Sequence, residues 1–177
     1  MANRGKQTTP KAPRSREKAA AEVLVRRAEL SDVPALITMS EELFHYHKAF
    51  HEEYYALSKV ARDYWRGKSQ YYLSGRSGVV FVAERGGQII GYIVGAIEKR
   101  PPVYLMEHVG RIGPIFVASR HRGRGVAKHL IRAALDWFRN KPVSHIEANM
   151  DARNAPGIKL FTRAGFRVHQ TKFLKEC

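Results

Sequence analysis

From residue 22 onward the chain alternates short β-branched runs with longer stretches in which apolar side chains recur every three or four positions. Val23-Leu24-Val25, followed by Arg26-Arg27-Ala28, reads as a first strand. Ser31-Asp32-Val33-Pro34 offers a polar N-cap and a proline in the first helical turn, and Leu36, Met39, Leu43 and Phe44 follow at helical spacing. A second helix is predicted over 58–73, ending before Ser74-Gly75. The apolar runs 79–84 and 88–98 flank Arg85-Gly86-Gly87 and read as a β-hairpin. Pro101-Pro102 ends that element.

A fourth strand is predicted over 105–117. Gly113-Pro114 interrupts it, and because proline has no N–H to give the ladder, a bulge or a splayed edge is expected there. A helix over 126–140 presents Leu130, Ile131, Ala134, Leu135, Trp137 and Phe138 on one face. A strand over 144–150, a short helix over 155–164 and a last strand over 166–174 complete the pattern. Helices alternate with strands but a hairpin is present, so the fold class is α/β with a mixed sheet.

Length and composition narrow this picture. The 177 residues fit one domain, and 44% hydrophobic content allows a packed core. Mean hydropathy is −0.39, and no apolar run is long enough to predict a membrane span. The single cysteine, Cys177, excludes an intrachain disulfide and a cysteine-based zinc site. With no apolar secretory segment at the N-terminus, a cytoplasmic location is expected.

Residues 1–21 are polar, basic and proline-containing, and read as a disordered tail ahead of a domain over 22–177. Formal net charge is +15, from 31 Lys+Arg against 16 Asp+Glu. Such a field attracts polyanions, so weak association with RNA or acidic surfaces is expected; it equally serves a ligand carrying several phosphates.

Candidate chemistry concentrates at His121-Arg122-Gly123-Arg124-Gly125-Val126-Ala127-Lys128, between a predicted strand and a predicted helix. A helix N-terminus presents unpaired N–H groups and partial positive charge. Small residues at 123, 125 and 127 let a phosphate approach the backbone, and Arg122, Arg124 and Lys128 add charge. The stretch lacks the G-x-x-x-x-G-K-[ST] of a P-loop, and the third glycine and following acid of a dinucleotide fold.

Arg122-x-x-Gly125-x-Ala127 resembles the Gln/Arg-x-x-Gly-x-Gly/Ala signature of the GNAT superfamily of N-acetyltransferases. Asn154-Ala-Pro-Gly-Ile-Lys-Leu-Phe-Thr-Arg-Ala-Gly-Phe166 is similar to that family's second signature, and Val25 to Val33 resembles its first strand and helix start. The resemblance spans 22–174. It implies a twisted mixed sheet whose fourth and fifth strands splay apart, with acetyl-CoA as co-substrate and an amine as acceptor.

By position, Ile115, Phe116 and Val117 would contact the pantetheine and thioester, with the Phe116 N–H on the thioester oxygen. The backbone of Arg122, Gly123, Arg124, Gly125, Val126, Ala127 and Lys128 would hold the pyrophosphate, and Asn154 would bond the cofactor. Relatives often form homodimers, so a dimer is expected.

The same resemblance exposes a departure. The tyrosine that the family often uses as general acid is Phe161 here, whose ring would still pack against the cofactor near its sulfur but has no proton to give. Family positions for the base carry Arg111 and Gly113, so Glu107 and His108, just upstream, are the catalytic candidates, with Glu147 a third. His45, His47 and His51 lack a full H-E-x-x-H, and no metal is expected. Tyr46, Phe50, Glu52, Glu53, Tyr54 and Tyr55 read as an aromatic and acidic acceptor wall. Two other classes stay open: a basic nucleic-acid-associated module, and an acyl-CoA-binding protein without catalysis.

Overall fold

The computed structural model describes residues 22–75 and 77–176; the basic tail expected over 1–21 lies outside the described residues. The elements are β1 (Leu24–Arg27), α1 (Val33–Lys48), α2 (Ala61–Leu73), β2 (Gly78–Arg85), β3 (Gln88–Lys99), β4 (His108–Val117), α3 (Val126–Phe138), β5 (Ile146–Ala148) and α4 (Ala155–Arg163). The strands form one sheet in chain order. Neighbours from β1 to β4 are antiparallel, and β4 pairs with β5 in parallel. The expected mixed α/β sheet is therefore present.

Each face of the sheet carries its own core. On one face Leu36, Met39 and Leu43 of α1 pack against Val80, Val82, Tyr92, Val94 and Phe116. On the other, Leu130, Ile131, Ala134 and Phe138 of α3 meet Val79, Ile93, Ile112, Val117 and Phe161. Fully buried side chains such as Leu36, Ile93 and Leu130 each contribute about 2 kcal/mol by burial. In the α1-side core Tyr92 Oη meets Ser40 Oγ at 2.8 Å.

The entry to α1 is pinned to the sheet by charge. Arg26 on β1 holds buried Asp32 through two bonds of 2.7 and 3.0 Å and reaches Glu84 on β2 at 2.9 Å. Asp32 in turn accepts from the Glu29 N–H at 2.8 Å. The Arg26 guanidinium is the main reason that the Asp32 carboxyl titrates below its ordinary value.

The interruption at Gly113-Pro114 is a bulge. Ile93 pairs with Ile115 and Gly95 with Ile112, so two residues of β4 oppose the single Val94. The extra residue resets the alternation of the strand. Ile112, Ile115 and Val117 consequently all pack on the α3 face, while Phe116 packs on the α1 face.

The strand expected over 166–174 does not form. A strand needs a paired neighbour, and β5 offers three residues, roughly 10 Å of edge. The segment lies instead near the α1–α2 connection, where Lys172 Nζ donates to Tyr54 Oη at 2.6 Å and Glu176 sits 3.4 Å from His51.

Candidate active site

The bulge divides β4 into two halves with different pairing. Gly110, Arg111 and Ile112 face Ile146, Glu147 and Ala148 of β5, and the pairing stops there. Beyond Ile112 the strands separate, as expected for a splayed fourth and fifth strand.

The phase of the ladder determines which backbone groups look into this split. The Ala118 N–H donates to Ile90 O at 2.9 Å. Antiparallel pairs alternate between bonded and non-bonded, so Phe116, two residues back and opposite Tyr92, also turns its main chain toward β3. The N–H and C=O of Ile115 and Val117 therefore point into the split. Phe116, the expected thioester donor, has its N–H in the ladder and its ring in the α1-side core.

At the head of the split lies the glycine turn. Gly123 and Gly125 have φ of +72° and +81°, a region that other residues enter only with strain, and a Cβ at either would meet nothing within 4 Å. The requirement is conformational, and the space above the turn is open. Gly125 caps α3, whose first backbone bond runs from the His129 N–H to Gly125 O. The N–H groups of Val126, Ala127 and Lys128 are thus free of helical partners and aimed at the turn.

Two side chains report the local charge. Arg122 donates from Nε to Val117 O at 2.8 Å, and its guanidinium lies 5.0 Å from the Tyr46 ring and 5.6 Å from the Phe116 ring. It fastens the turn to β4 and to the end of α1. His121 is held below its ordinary pKa by burial first, then by the charges of Arg120, Arg85 and Arg124. That imidazole senses a positive potential where a polyphosphate would sit.

The mouth of the split has an unforeseen bridge. Tyr55, in the α1–α2 connection, donates from its hydroxyl to Asp151 Oδ2 at 2.9 Å, three residues past the end of β5. Arg153 holds the same carboxylate through its side chain at 3.2 Å and its N–H at 2.9 Å. Arg153 chiefly, with Tyr55 assisting, lowers the Asp151 pKa to about 2, while burial and the bond to Asp151 raise that of Tyr55 to about 12. The His47 ring lies 5.1 Å from the Tyr55 ring, half-buried.

The remaining candidates scatter. Glu107 and His108 sit at the far end of β4, with the Glu107 carbonyl bound to the Arg100 N–H. Seven and eight residues of strand put them roughly 25 Å from Ile115. They are too remote to touch an acyl group held there. Glu147 is also engaged, because Arg111 bridges Glu98 and Glu147 at 2.5 and 3.3 Å across the paired half.

Asn154 is buried as the N-cap of α4: its Oδ1 accepts from the Gly157 N–H at 3.0 Å and its Nδ2 rests on Met150 Sδ at 3.1 Å. Phe161 is a core residue, edge-on to Phe166 at 5.2 Å. Of the expected acceptor wall, Tyr46, Phe50 and Tyr55 gather around His47, whereas Glu52, Glu53 and Tyr54 are exposed. The histidines diverge: His45 bonds its own helix at Glu41 O, and His51 faces Glu176.

A strand half with one free edge, running into an anion-binding helix start, matches a known family in sequence as well. The model of the acetyltransferase (GNAT) family matches residues 39–166. The chain belongs to the GNAT family. This GNAT chain is 31% identical over 103 residues to N-acetyltransferase 8 of Rattus norvegicus, covering 58% of this chain and 46% of that protein. The chain spans less than half the length of the curated relatives it matches first.

Among solved structures, its fold is shared with an aminoglycoside N-acetyltransferase in complex with CoA, at a TM-score of 0.70 and 20% identity, covering 90% of this chain and 97% of that one. A ribosomal-protein-alanine N-acetyltransferase from Brucella melitensis biovar Abortus 2308 gives a TM-score of 0.62 at 20% identity, covering 88% and 99%. Among the described residues, no helix is long and apolar enough to cross a membrane.

Proposed function

We propose that this chain is an acetyl-CoA-dependent N-acetyltransferase that moves the acetyl group directly onto a primary amine of a protein N-terminus, a lysine or a small molecule. One observation carries the reading: the unpaired half of β4 leads straight into the positive-φ glycine turn at the start of α3. A pantetheine arm needs the first and a pyrophosphate needs the second. Open space above Gly123 and Gly125 and free N–H groups at 126–128 fit the cofactor's anionic end.

Acetyl-CoA supplies an acyl group activated as a thioester. The chain's part is to bind and orient it. The main chain of Ile115 and the N–H of Val117, whose carbonyl Arg122 already holds, would pair with the arm, and the Ile115 N–H would polarise the thioester oxygen. Backbone N–H groups over 123–128, with the Arg124 and Lys128 side chains, receive the pyrophosphate. Arg122 positions the turn, and Asn154 fixes the start of α4. Phe161 contributes apolar contact and no proton.

The test is calorimetric titration of CoA onto the full chain, followed by thiol release from acetyl-CoA across a panel of peptide N-termini, lysine peptides and small amines. Binding with turnover of at least one amine supports the reading. Tight binding with no turnover reduces the chain to an acyl-CoA-binding protein, and no binding overturns the proposal. Salt-sensitive RNA binding that survives removal of residues 1–21 in a chain that ignores CoA promotes the nucleic-acid alternative.

A further inference from the structure

The sequence motifs leave this site without a base, since Glu107 and His108 stand at the other end of β4. The mouth of the split holds a different titratable cluster, assembled from three separate parts of the chain. His47 lies in the last turn of α1, Tyr55 in the α1–α2 connection, and Asp151 just past β5. β4 runs three residues past its last pair with β5, Ile112 opposite Ala148, to reach Ile115, and the chain runs three residues past β5 to reach Asp151. The Tyr55–Asp151 bond ties the α1–α2 connection to that segment after β5, and His47 lies against Tyr55.

We infer that His47 is the general base of this enzyme, taking the proton that the acceptor nitrogen sheds as it attacks the thioester; this rests on the acetyltransferase reading above. Three features of the surroundings point to it. The ring is half-buried among Phe44, Tyr46, Phe50 and Tyr55, yet open enough for a ligand to reach it. Among the described residues neither ring nitrogen makes a hydrogen bond, so both are available. And the adjacent Tyr46 contacts Arg122, which ties this turn of α1 to Val117 at the split.

Every charged group facing the ring can be named. Burial is the larger influence and holds His47 below the ordinary histidine value; the Asp151 carboxylate opposes it, itself neutralised in part by Arg153. Arg122 lies beyond Tyr46. The balance favours the uncharged imidazole, the form a base needs.

The transfer balances as follows. The uncharged amine nitrogen bonds to the acetyl carbon, and its N–H becomes acidic as that bond forms. His47 accepts the proton; the C–S bond breaks with its electron pair on sulfur. The imidazolium then gives the same proton to the thiolate, yielding amide and CoA thiol. The donor absent at Phe161 is thereby replaced by the shuttle.

The test uses the full chain and has two readouts. First, histidine ring NMR titration should show two imidazoles that titrate below the ordinary range, His121 and His47, of which the one lost in H47Q also shifts on adding CoA. Second, kcat is measured against pH with an amine from the panel above, or as acetyl-CoA hydrolysis where no amine is taken. H47Q should lower kcat about 100-fold, with CoA affinity within twofold, and should remove the fall in activity on the acid side. Added imidazole should restore part of the rate of H47A. D151N, which withdraws the carboxylate that favours imidazolium, should move the acid limb to lower pH. A kcat of H47Q within threefold of the parent, or an acid limb that persists in H47Q, overturns the assignment. So does a loss of rate accompanied by weakened CoA binding, which marks a structural role. Failure of the parent chain to bind CoA instead overturns the cofactor reading.

Discussion

The two halves of β4 share one strand and have opposite fates. In the first half, Gly110 to Ile112 have backbone partners on both sides, and Arg111 is bracketed by Glu98 and Glu147. In the second half, past the bulge at Gly113-Pro114, the main-chain groups of Ile115 and Val117 point away from β3 while their side chains stay in the α3-face core, and β5 has ended. An unpaired polar backbone next to an apolar core is unstable unless it finds a partner. The proposed partner is an extended, amide-bearing ligand laid along this edge of β4. On the proposed reading the site lies where pairing stops, and the ionisable residues of the paired half bond to one another across the strands.

This contrast can be broken most severely at the turn. Gly125→Glu places a bulky anion and a strained φ where the pyrophosphate is received, and should weaken CoA binding by more than about 100-fold, roughly 3 kcal/mol. Calorimetry checks it, with circular dichroism to establish that the fold survives. Arg122→Lys removes the guanidinium that joins Val117 O to two aromatic rings, and lysine cannot reproduce its planar fork. CoA affinity should fall about tenfold, about 1.4 kcal/mol.

On the closed half, Arg111→Met should lower stability by about 1 kcal/mol or less, read in a urea melt, because its partners are partly solvated. CoA affinity should hardly change. Smallest of all, Glu107→Gln and His108→Ala should leave kcat/KM within about twofold, about 0.4 kcal/mol.

The mouth contributes a pH signature as well. The Asp151 carboxyl is depressed to about 2 in the folded chain, below its unfolded value of 3.8. Its stabilisation is therefore complete above about pH 4 and is lost as pH falls toward 2. Asp151→Asn should flatten that part of an acid-unfolding curve; a curve identical to the parent's would remove Asp151 from the account.

How much of this was visible in the sequence follows the range of each interaction. The glycine turn was legible because its demands are local: two positive-φ residues, a helix start and basic neighbours within eight positions. The bulge was legible because Pro114 lacks an N–H. The direction of each main-chain group was not, since Phe116 and Ile115 exchange roles according to the exact register with β3. The Tyr55–Asp151 bridge joins residues 96 apart and carries no local signal. His47 carries no such signal in the sequence, because half of its aromatic enclosure, Phe50 and Tyr55, comes from the connection after α1. The last strand was misjudged for a related reason: the residues favour extension, but a strand forms only where an edge long enough awaits it.

The central claim is that the open half of β4 and the glycine turn together bind CoA. Backbone amide NMR of the full chain, recorded as CoA is added, tests it residue by residue. The account predicts large shifts at Ile115, Val117, Val126, Ala127 and Lys128, with Val109, Gly110 and Arg111 nearly still. Shifts spread equally over both halves of β4, or absent from the turn, would contradict it.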